Sequence, residues 1–530
     1  MSLQSYIDSF TYGLNEPTSR RHGLVLGTIV LFGTLLRLYA AYAGQGYHAF
    51  AINDEIAALH QALAWLAGEE SAQYLGQPSF AQGQLPGPLW TLLWVLFYKL
   101  GGDSVTGVIY GMALLNSVTI YLVYLIARYF MTAEEALLSC FLFSIAPWAV
   151  FYSSGVWNPL VLAFLGGLLV LSLWRVVILE QSKSIFWVCL VTAAIPQFHM
   201  IGIFYAPVIL LIFYLQPTAL NRPWFVLGLI AGLALYIPYI LGDMSHDWDN
   251  TRRMLAGSGH EGSYGVAKII TAPLTMLSSI PGRWLGETFA DGKILGNALF
   301  GSYIVLLVFA CITLVNAMCY IGSFLYVMGQ GLRRERFSLK RYFSAHREMA
   351  FMSIMLVVPL LLFTLTRHNY ASRYSIIVFP LLFLLPVLFL KSRKSDKARR
   401  FWAANLLFVS LVNIYMLISY HHFLGEQIEE GETFMASFNT LESVRKVLRR
   451  HAGDGIYINV QLTGAVNNIA EIDRKTKAAI PQYLAVYQQY ISKVQGTGRN
   501  KTYLLSLSNS PLLGRYELVY KNNDMAILAP

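Results

Sequence analysis

Long runs of apolar residues recur over roughly the first 420 positions, and they constrain the fold more than any other feature of the sequence. Each run has about 17 to 25 residues, which as an α-helix crosses about 30 Å of hydrocarbon. Apolar residues make up 56% of the chain and charged residues only 13%, so a soluble domain cannot hide this much apolar surface. The sequence therefore predicts a polytopic α-helical membrane protein.

The positions of Lys and Arg predict which loops face the cytoplasm, because loops rich in these residues stay inside the cell. The segment between Arg37 and Lys99 has several acidic residues but no Lys or Arg, so we expect it outside. The loops 333–347 and 391–400 are strongly basic and are expected inside. The net charge of +10 is concentrated in such short loops and so indicates orientation. No nucleic-acid partner is expected.

Two apolar segments allow alternative interpretations, and the basic loops decide between them. The run 89–100 is about a dozen residues long, too short to span comfortably, so we interpret it as a helix in the outer leaflet. The run 185–215 is interrupted near Pro196. Two helices meeting there keep the loop 333–347 inside, whereas one continuous helix would place its basic residues outside.

These choices predict about eleven spans and place the C-terminus outside the cytoplasm. The first span follows Arg20-Arg21 and is interpreted as a signal anchor without a cleavable leader. The long outer loops are 44–103, which should carry juxtamembrane helices, and 242–296. The protein is expected in a bacterial cytoplasmic membrane. The expected spans are 23–43, 104–127, 136–152, 157–175, 184–197, 199–216, 224–241, 297–328, 349–366, 374–390 and 401–420.

The last part of the chain, 421–530, is expected to form a small extracytoplasmic α/β domain beside the transmembrane domain 1–420. A helix is predicted at 441–450, strands at 456–460, 503–507, 516–520 and 525–528, and a turn at 522–524. The four cysteines lie in apolar runs, so no disulfide framework is implied.

Asp54 and Glu55 are adjacent carboxylates just beyond the first apolar run, and two interpretations stay open for them. Asn53 can cap a short helix 54–66, in which case the helix dipole favours acids in the first turn. Alternatively, a carboxylate at the membrane surface acts as a general base. A helix N-terminus would keep it ionised and ready to take a proton from a hydroxyl.

Cationic side chains near the expected outer surface are candidates for binding a negatively charged group. Arg367, His368 and Arg373 bracket the entry to a span, and they would either meet a phosphate or anchor the helix at the interface. His199, at the interrupted helix junction, has either a structural role or a contact with substrate.

The segment 243–249 contains Asp243, His246, Asp247 and Asp249, which are residue types that can bind metals. Their spacing matches no strong metal motif, so we interpret the segment as a solvated loop. The sequence predicts no resident metal ion and no defined cofactor, while a requirement for a divalent cation stays open.

Several short motifs follow one another in an order that resembles a known superfamily. They are Leu35-Leu-Arg-Leu-Tyr39, Asn53-Asp-Glu55, Pro86-Gly-Pro-Leu-Trp90 with Lys99-Leu-Gly-Gly102, Tyr152-Ser-Ser-Gly-Val-Trp-Asn-Pro159, Gln197-Phe-His199, Arg367-His-Asn-Tyr370 and Arg373-Tyr374. Over about residues 23–390 the chain resembles the GT-C superfamily of polyprenyl-phosphate-sugar-dependent membrane glycosyltransferases. Within it, the likeness is to the branch of protein O-mannosyltransferases and aminoarabinose transferases.

The resemblance implies a function and a set of site residues. Such enzymes transfer a sugar from a polyprenyl-phosphate donor to a hydroxyl of a protein, lipid or polysaccharide on the non-cytoplasmic side of the membrane. Asp54 stands at the position of the catalytic base, with Glu55 to orient it. The expected substrate-binding residues are Arg367, His368, Tyr370, Arg373 and His199.

One departure from the superfamily pattern concerns Glu55. Many relatives carry an Arg early in the second span that pairs with the second acid, whereas this chain has Ile109 near that place. Glu55 therefore needs a different partner, or it is not used as in those relatives.

Two other functional classes stay open on the sequence. A lipid or solute transporter of the cell-envelope pathway would move its cargo without forming a glycosidic bond. A silent scaffold would depend on residues 421–530 and tolerate substitution of Asp54.

Overall fold

The computed structural model describes residues 20–44, 53–79, 83–153, 155–217, 221–256, 303–364 and 376–429, the single residues Leu274 and Leu277, and four strands between 457 and 529. At 44, 53–56, 79, 303–307, 363–364 and 419–429, and in the four strands, it describes the backbone without the side chains.

Helices dominate the described chain. They are α1 Arg20–Gly44, α2 Asn53–Ala67, α3 Glu70–Tyr74, α4 Leu89–Leu100, α5 Val105–Ala127, α6 Ala133–Ser144, α7 Pro147–Phe151, α8 Leu162–Val177, α9 Ile185–Phe198, α10 Tyr205–Leu215, α11 Arg222–Ala234, α12 Ile237–Ser245, α13 Asp249–Ala256, α14 Tyr303–Arg334, α15 Leu339–Ala345, α16 Arg347–Thr364, α17 Phe379–Leu382, α18 Leu385–Lys391 and α19 Asp396–Glu429. Short 3₁₀ turns occupy Asn158–Val161, Ser182–Ser184 and Met200–Phe204, and a two-stranded ribbon joins β1 Pro78–Ser79 to β2 Gly83–Gln84.

The helices lie where the apolar runs predicted them. In the described residues five helical segments are long and apolar enough to cross a membrane, or six if the bent pair α11 and α12 forms one span. Shorter apolar segments lie at Leu89–Leu100, Ser182–Phe198, Met200–Leu215 and Ile376–Lys391. The expected multi-pass helical architecture is confirmed, while the total of about eleven spans and the side that each loop faces stay predictions.

Burial separates central helices from peripheral ones. In an apolar 18-residue window of each span, 89% of the window is buried within the protein at Asn158–Val177 and 67% at α5, whereas only 28% is buried at α1 and at α19. Residues of α5 and α8 belong to the main hydrophobic cluster. The exposed apolar side chains of α1, α14 and α19 are those expected of a lipid-facing surface.

The two segments that required a choice have the predicted form. Helix α4 covers the run 89–100 as a separate short helix, and 185–215 is divided into α9 and α10. The division lies slightly later than expected, because α9 continues through Pro196 and ends where His199 adopts an extended backbone. The position of α4 in the outer leaflet stays a prediction.

Three helix breaks were not predicted. The expected span 136–152 is interrupted at Ile145-Ala146, between α6 and α7, the expected span 224–241 is interrupted between α11 and α12, and the expected span 374–390 is interrupted between α17 and α18. Proline stands in the first turn after each break, at Pro147, Pro238 and Pro386. Because proline lacks an N–H and disfavours helix in the preceding residue, it starts a helix readily and rarely continues one.

The break after α6 frees main-chain carbonyls, and the buried Arg37 of α1 pairs with two of them. Its Nη1 donates to the oxygen of Ser144 at 2.9 Å, and its Nη2 donates to the oxygen of Phe143 at 3.5 Å. Nη1 also donates to the oxygen of Gly33, within α1 itself, at 3.0 Å. The guanidinium also lies 5.4 Å from the centre of the Phe143 ring. A cation at a helix C-terminus meets the negative end of the dipole, so Arg37 fastens α1 to α6.

Four strands are described in the C-terminal region: β3 Tyr457–Leu462, β4 Asn500–Leu507, β5 Glu517–Lys521 and β6 Met525–Ala529. They form one sheet in the order β3-β4-β6-β5, with β3 and β4 parallel and the other pairs antiparallel. The strands agree with the predicted positions. The helix predicted at 441–450 and the turn at 522–524 lie outside the described residues, and a separate domain at 421–530 stays a prediction.

Replacing Arg37 by Met should destabilise the protein, because the carbonyls of Phe143 and Ser144 lose a charged donor. Each such hydrogen bond contributes about 1.5–3 kcal/mol. Thermal unfolding of the detergent-solubilised protein should show a clearly lower midpoint for Arg37→Met and a smaller decrease for Arg37→Lys, which keeps the charge without the planar fork. The exposed Arg20 of the same helix offers the control Arg20→Met. Equal midpoints for both Met variants would contradict this role.

Candidate active site

Asp54 and Glu55 lie in the first turn of α2, because the helix begins at Asn53. The helix predicted at 54–66 is therefore present with nearly the expected bounds. The side chains of 53–56 lie outside the described residues, so the choice between a cap and a catalytic base stays a prediction. Ile109, near the place where the resemblance led us to expect an Arg, is buried.

Helix α2 is held in place by the face that it buries. Ala58, Leu59, Ala62 and Leu63 are all buried and belong to the main hydrophobic cluster, together with residues of α4. On the same helix, the buried Gln61 donates from Nε2 to the oxygen of Leu75 at 2.8 Å, just after α3. The helix that carries the two acids is thus fixed to both of its neighbours in the first outer loop.

Gln197 connects that loop to the membrane domain. Its Oε1 accepts from the N–H of Leu89 at 3.4 Å, and its Nε2 donates to the oxygen of Leu235 at 2.9 Å, at the bend between α11 and α12. Gly87 lies against this side chain with a φ of +131°, and a Cβ there would stand 2.3 Å from Oε1 of Gln197. Only glycine suits that position, because the positive φ is strained for any other residue and a side chain would collide with Gln197.

Trp90 and Asn158 bring two further motifs to the same place. The buried indole of Trp90 donates to Oε1 of Gln77 at 2.8 Å, and its ring meets Phe198 edge-on at 6.4 Å. Nδ2 of Asn158 donates to the oxygen of Phe198 at 2.7 Å. The motifs 86–90, 152–159 and 197–199, which are far apart in sequence, therefore meet beside the element that carries Asp54.

A small internal cavity brings Arg37 together with two other motif regions. Arg37, Asn116, Tyr152 and Ile376 are among its lining residues, and about 10 Å³ is open to the centre of a water molecule, enough for one water. Ile376 comes three residues after Arg373 in the sequence. Arg367, His368, Tyr370 and Arg373 themselves lie outside the described residues, so their roles stay predictions.

His199 has a structural role in the described chain. Its Nδ1 accepts from the N–H of Ile201 at 3.2 Å and so caps the 3₁₀ turn between α9 and α10. Of the two interpretations offered by the sequence, this geometry supports the structural one, and a contact with substrate stays a prediction.

The interpretation of 243–249 as a solvated loop was wrong for Asp243, which is only 1% exposed. Its Oδ1 accepts from the N–H of Asn250 at 2.9 Å, and its Oδ2 accepts from the N–H and hydroxyl of Thr251 at 3.0 and 2.6 Å. The carboxylate is buried because it pairs with the free donors in the first turn of α13. A sequence pattern of acids and a His does not distinguish this capping role from a solvated loop.

This segment joins the two loops that are expected to lie outside. Asn250 accepts from the N–H of Gln84 at 2.7 Å and donates back to its oxygen at 3.1 Å. The hydroxyl of Tyr74 lies 3.1 Å from Nδ1 of His246, and the two rings stack at 5.5 Å. Partial burial raises the pKa of Tyr74, and the carboxylates of Asp243, Glu70 and Asp249 raise it further. Tyr74 therefore stays a neutral phenol.

The remaining acids and bases of the second outer loop are accounted for as far as the chain is described. Asp249 pairs with Arg253 at 2.8 Å on the surface, and Asp247 and Arg252 are exposed. Among the described side chains, no group of three His, Cys, Asp or Glu residues is placed to hold a metal ion.

The sequence analysis did not predict that Arg37 pairs with the end of α6. An isolated Arg near the end of an apolar run is a signal that could have indicated it.

No protein-family model matches the sequence, and no curated protein matches it. Among solved structures, the fold is similar to that of ArnT from Cupriavidus metallidurans in the apo state, with a TM-score of 0.52 and 11% identity over 95% of this chain and 98% of that one. ArnT from the same organism bound to undecaprenyl phosphate has a TM-score of 0.49 and 10% identity, again over 95% of this chain and 98% of that one. The apo form of the oligosaccharyltransferase from Archaeoglobus fulgidus has a TM-score of 0.42 and 12% identity, over 93% of this chain and 70% of that one. The fold expected from the resemblance is confirmed by the likeness to apo ArnT.

Replacing Gln197 by Leu should loosen the first outer loop, because the N–H of Leu89 and the oxygen of Leu235 both lose their partner. An unsatisfied buried polar group costs about 1–3 kcal/mol. We expect a lower thermal midpoint and faster proteolysis between 68 and 88. Gln73→Leu, at an exposed glutamine of the same loop, is the matched control. Identical proteolysis of the two variants would rule out this anchoring role.

Replacing Asp243 by Asn should detach α13, because an amide nitrogen at the Oδ2 position cannot accept from Thr251. The loss should be about 1.5–3 kcal/mol per bond, measured by chemical or thermal unfolding. Asp249→Asn removes only the exposed pair with Arg253, which contributes about 0–1 kcal/mol. Equal unfolding midpoints for Asp243→Asn and Asp249→Asn would contradict the prediction.

Proposed function

We propose that this protein is a membrane glycosyltransferase that takes a sugar from a polyprenyl-phosphate donor and transfers it to an acceptor hydroxyl on the outer face of the cytoplasmic membrane. The observation that carries the proposal is the fold, which is similar to that of the GT-C enzyme ArnT over nearly the whole of both chains. The convergence of the motif residues beside α2 supports it further.

The chemistry of the donor explains why the acids belong at the membrane surface. A polyprenyl phosphate keeps its tail among the lipids and its phosphate at the depth of the headgroups. Helix α2 and the short apolar helix α4 pack together in the predicted outer loop, directly beside membrane helices. A carboxylate in the first turn of α2 would therefore work at the height of the donor phosphate.

In the proposed reaction, Asp54 takes the proton of the acceptor hydroxyl, and the acceptor oxygen forms a bond to the anomeric carbon of the sugar. The bond from that carbon to the phosphate oxygen breaks, and polyprenyl phosphate leaves with the electron pair. Attack opposite the leaving group inverts the configuration at the anomeric carbon. The positive end of the α2 dipole favours ionised Asp54, as a general base requires. Glu55 would orient it.

Arg367 and Arg373 are proposed to hold the phosphate, with His368 and Tyr370 between them in the chain. A leaving phosphate develops negative charge, and fixed cations lower the barrier to its departure. The next described residue, Ile376, lines the same small cavity as Arg37 and Tyr152. The chain that follows Arg373 is thus tied to the motif residues.

Replacing Asp54 by Asn should reduce transfer by about 10²–10⁴-fold, because the acceptor loses its general base. The measurement is mass spectrometry of products from purified protein in vesicles that contain a polyprenyl-phosphate sugar. Asp103→Asn is a suitable control: Asp103 ends the same outer loop, pairs with Lys99 at 2.7 Å, and has a φ of +61° that asparagine also tolerates.

The same assay separates the proposal from a transporter. A glycosyltransferase forms a new glycosidic bond and releases polyprenyl phosphate, and Asp54→Asn stops both while the protein still unfolds at the wild-type temperature. Movement of the intact lipid-linked sugar across the bilayer without a new bond would contradict the proposal.

A further inference from the structure

The turn between α14 and α15 holds two ordinary residues in a left-handed backbone. Arg336 has a φ of +51° and Phe337 a φ of +57°. The N–H of Phe337 donates to the main-chain oxygen of Leu332 at 2.7 Å, and the N–H of Ser338 donates to the main-chain oxygen of Glu335 at 3.0 Å. Side chains other than glycine rarely adopt this conformation, at a cost of about 1–3 kcal/mol each. The turn is therefore well defined and strained.

This strained turn exposes an aromatic ring. Phe337 is 74% exposed, whereas Tyr342 and Phe343 of the adjoining helix α15 are buried. Tyr342 packs so closely on α14 that a Cβ at Gly331 would come within 2.4 Å of its ring. Since these two rings fill the contact with α14 and α16, Phe337 adds nothing to the core. Its exposure needs another explanation.

Exposed cations surround Phe337. Arg333, Arg334, Arg336, Lys340 and Arg341 are all exposed, and in the described part of the chain none of them forms an ion pair. The only acid among residues 333–341 is Glu335. By contrast, the nearby Arg347 pairs with Glu180 at 3.2 Å. Residues 333–341, named here the basic turn, carry an uncompensated positive charge.

The basic turn lies between two apolar helices. It follows α14, a helix of 32 residues with an apolar window from 308 to 334, and it precedes α16, which is apolar after its first turn. The loop that joins two such helices lies at the depth of the lipid headgroups. Phosphate oxygens are the most abundant anions there.

We propose that the basic turn binds anionic phospholipids of the leaflet that it faces, with its arginines on the lipid phosphates and the ring of Phe337 among the upper parts of the acyl chains. A guanidinium donates two parallel hydrogen bonds to a phosphate, and each basic side chain near an anionic membrane adds to the attraction. Aromatic rings favour the membrane interface. Charge and apolarity therefore point to one partner, a lipid surface.

The chain contains a matched turn of opposite charge. Asp247 and Trp248 also have left-handed φ values, +55° and +59°, and Trp248 is 38% exposed. The N–H of Trp248 donates to the oxygen of Asp243 at 2.7 Å. This turn has the same local geometry, but acids flank its aromatic ring. It should not select anionic lipids.

The test uses the full-length protein in detergent, titrated with fluorescent phosphatidylglycerol or phosphatidylcholine. The wild type should prefer phosphatidylglycerol, and the triple variant Arg333→Gln, Arg334→Gln, Arg336→Gln should bind it on the order of a hundredfold more weakly. Phe337→Ser should weaken binding of both lipids, and Trp248→Ser should change neither. Equal affinity of wild type and triple variant for phosphatidylglycerol would overturn the proposal. So would displacement of the lipid by inorganic phosphate at a similar concentration.

A second measurement leaves the charges unchanged, in case the triple variant does not fold. Photoreactive benzoylphenylalanine is introduced at position 337 or 248, and the protein is illuminated in vesicles that contain phosphatidylglycerol. Phospholipid adducts should form at 337 in large excess over 248. Equal yields at the two positions would refute insertion of this turn into the membrane.

Discussion

Main-chain polar groups inside a membrane must be paired within the protein, and this constraint governs how the described helices are joined. Each helix end or break leaves carbonyls without intrahelical partners, and at several of the described ends a side chain from another element supplies the donor. Arg37 serves the end of α6, Asn158 the end of α9 and Gln216 the oxygen of Val177 at the end of α8, the last at 3.0 Å. These contacts fix the interrupted helices relative to one another.

A contact of the same kind positions the segment 44–103, the first of the two expected outer loops. Gln197 of α9 accepts a hydrogen bond from Leu89 at the start of α4 and donates one to Leu235 at the bend after α11. One side chain therefore connects the loop to both α9 and α11. Helix α2 then packs on α4, and the Asp243 network joins the second outer loop to the first. The proposed base, Asp54, would require such a platform to meet a lipid-anchored phosphate at a fixed height, because misplacement by about 1 Å slows a reaction severely.

Much of the fold could be predicted because hydrophobic length and basic loops are strong, local signals. They located α4 and the division of 185–215, while the capping residue Asn53 located the short helix predicted at 54–66. The breaks beside Pro147, Pro238 and Pro386 were missed, because an apolar run with one proline also fits a continuous span. At the candidate site, the order of motifs indicated only the resemblance to the superfamily, and it did not show that the motifs meet, that Asp243 is buried or that Arg37 serves a helix end. Such partners lie far apart in sequence, and only packing brings them together.

The most direct measurement of the central claim is the fate of the lipid-linked sugar in cells that lack this protein. Mass spectrometry of lipids and glycans, combined with a membrane-impermeant enzyme that cleaves exposed phosphosugars, gives both the missing product and the side on which the donor collects. The account predicts that one glycan or lipid lacks a sugar while the polyprenyl-phosphate sugar accumulates on the outer face. Accumulation on the inner face alone, or an unchanged set of glycans, would contradict it.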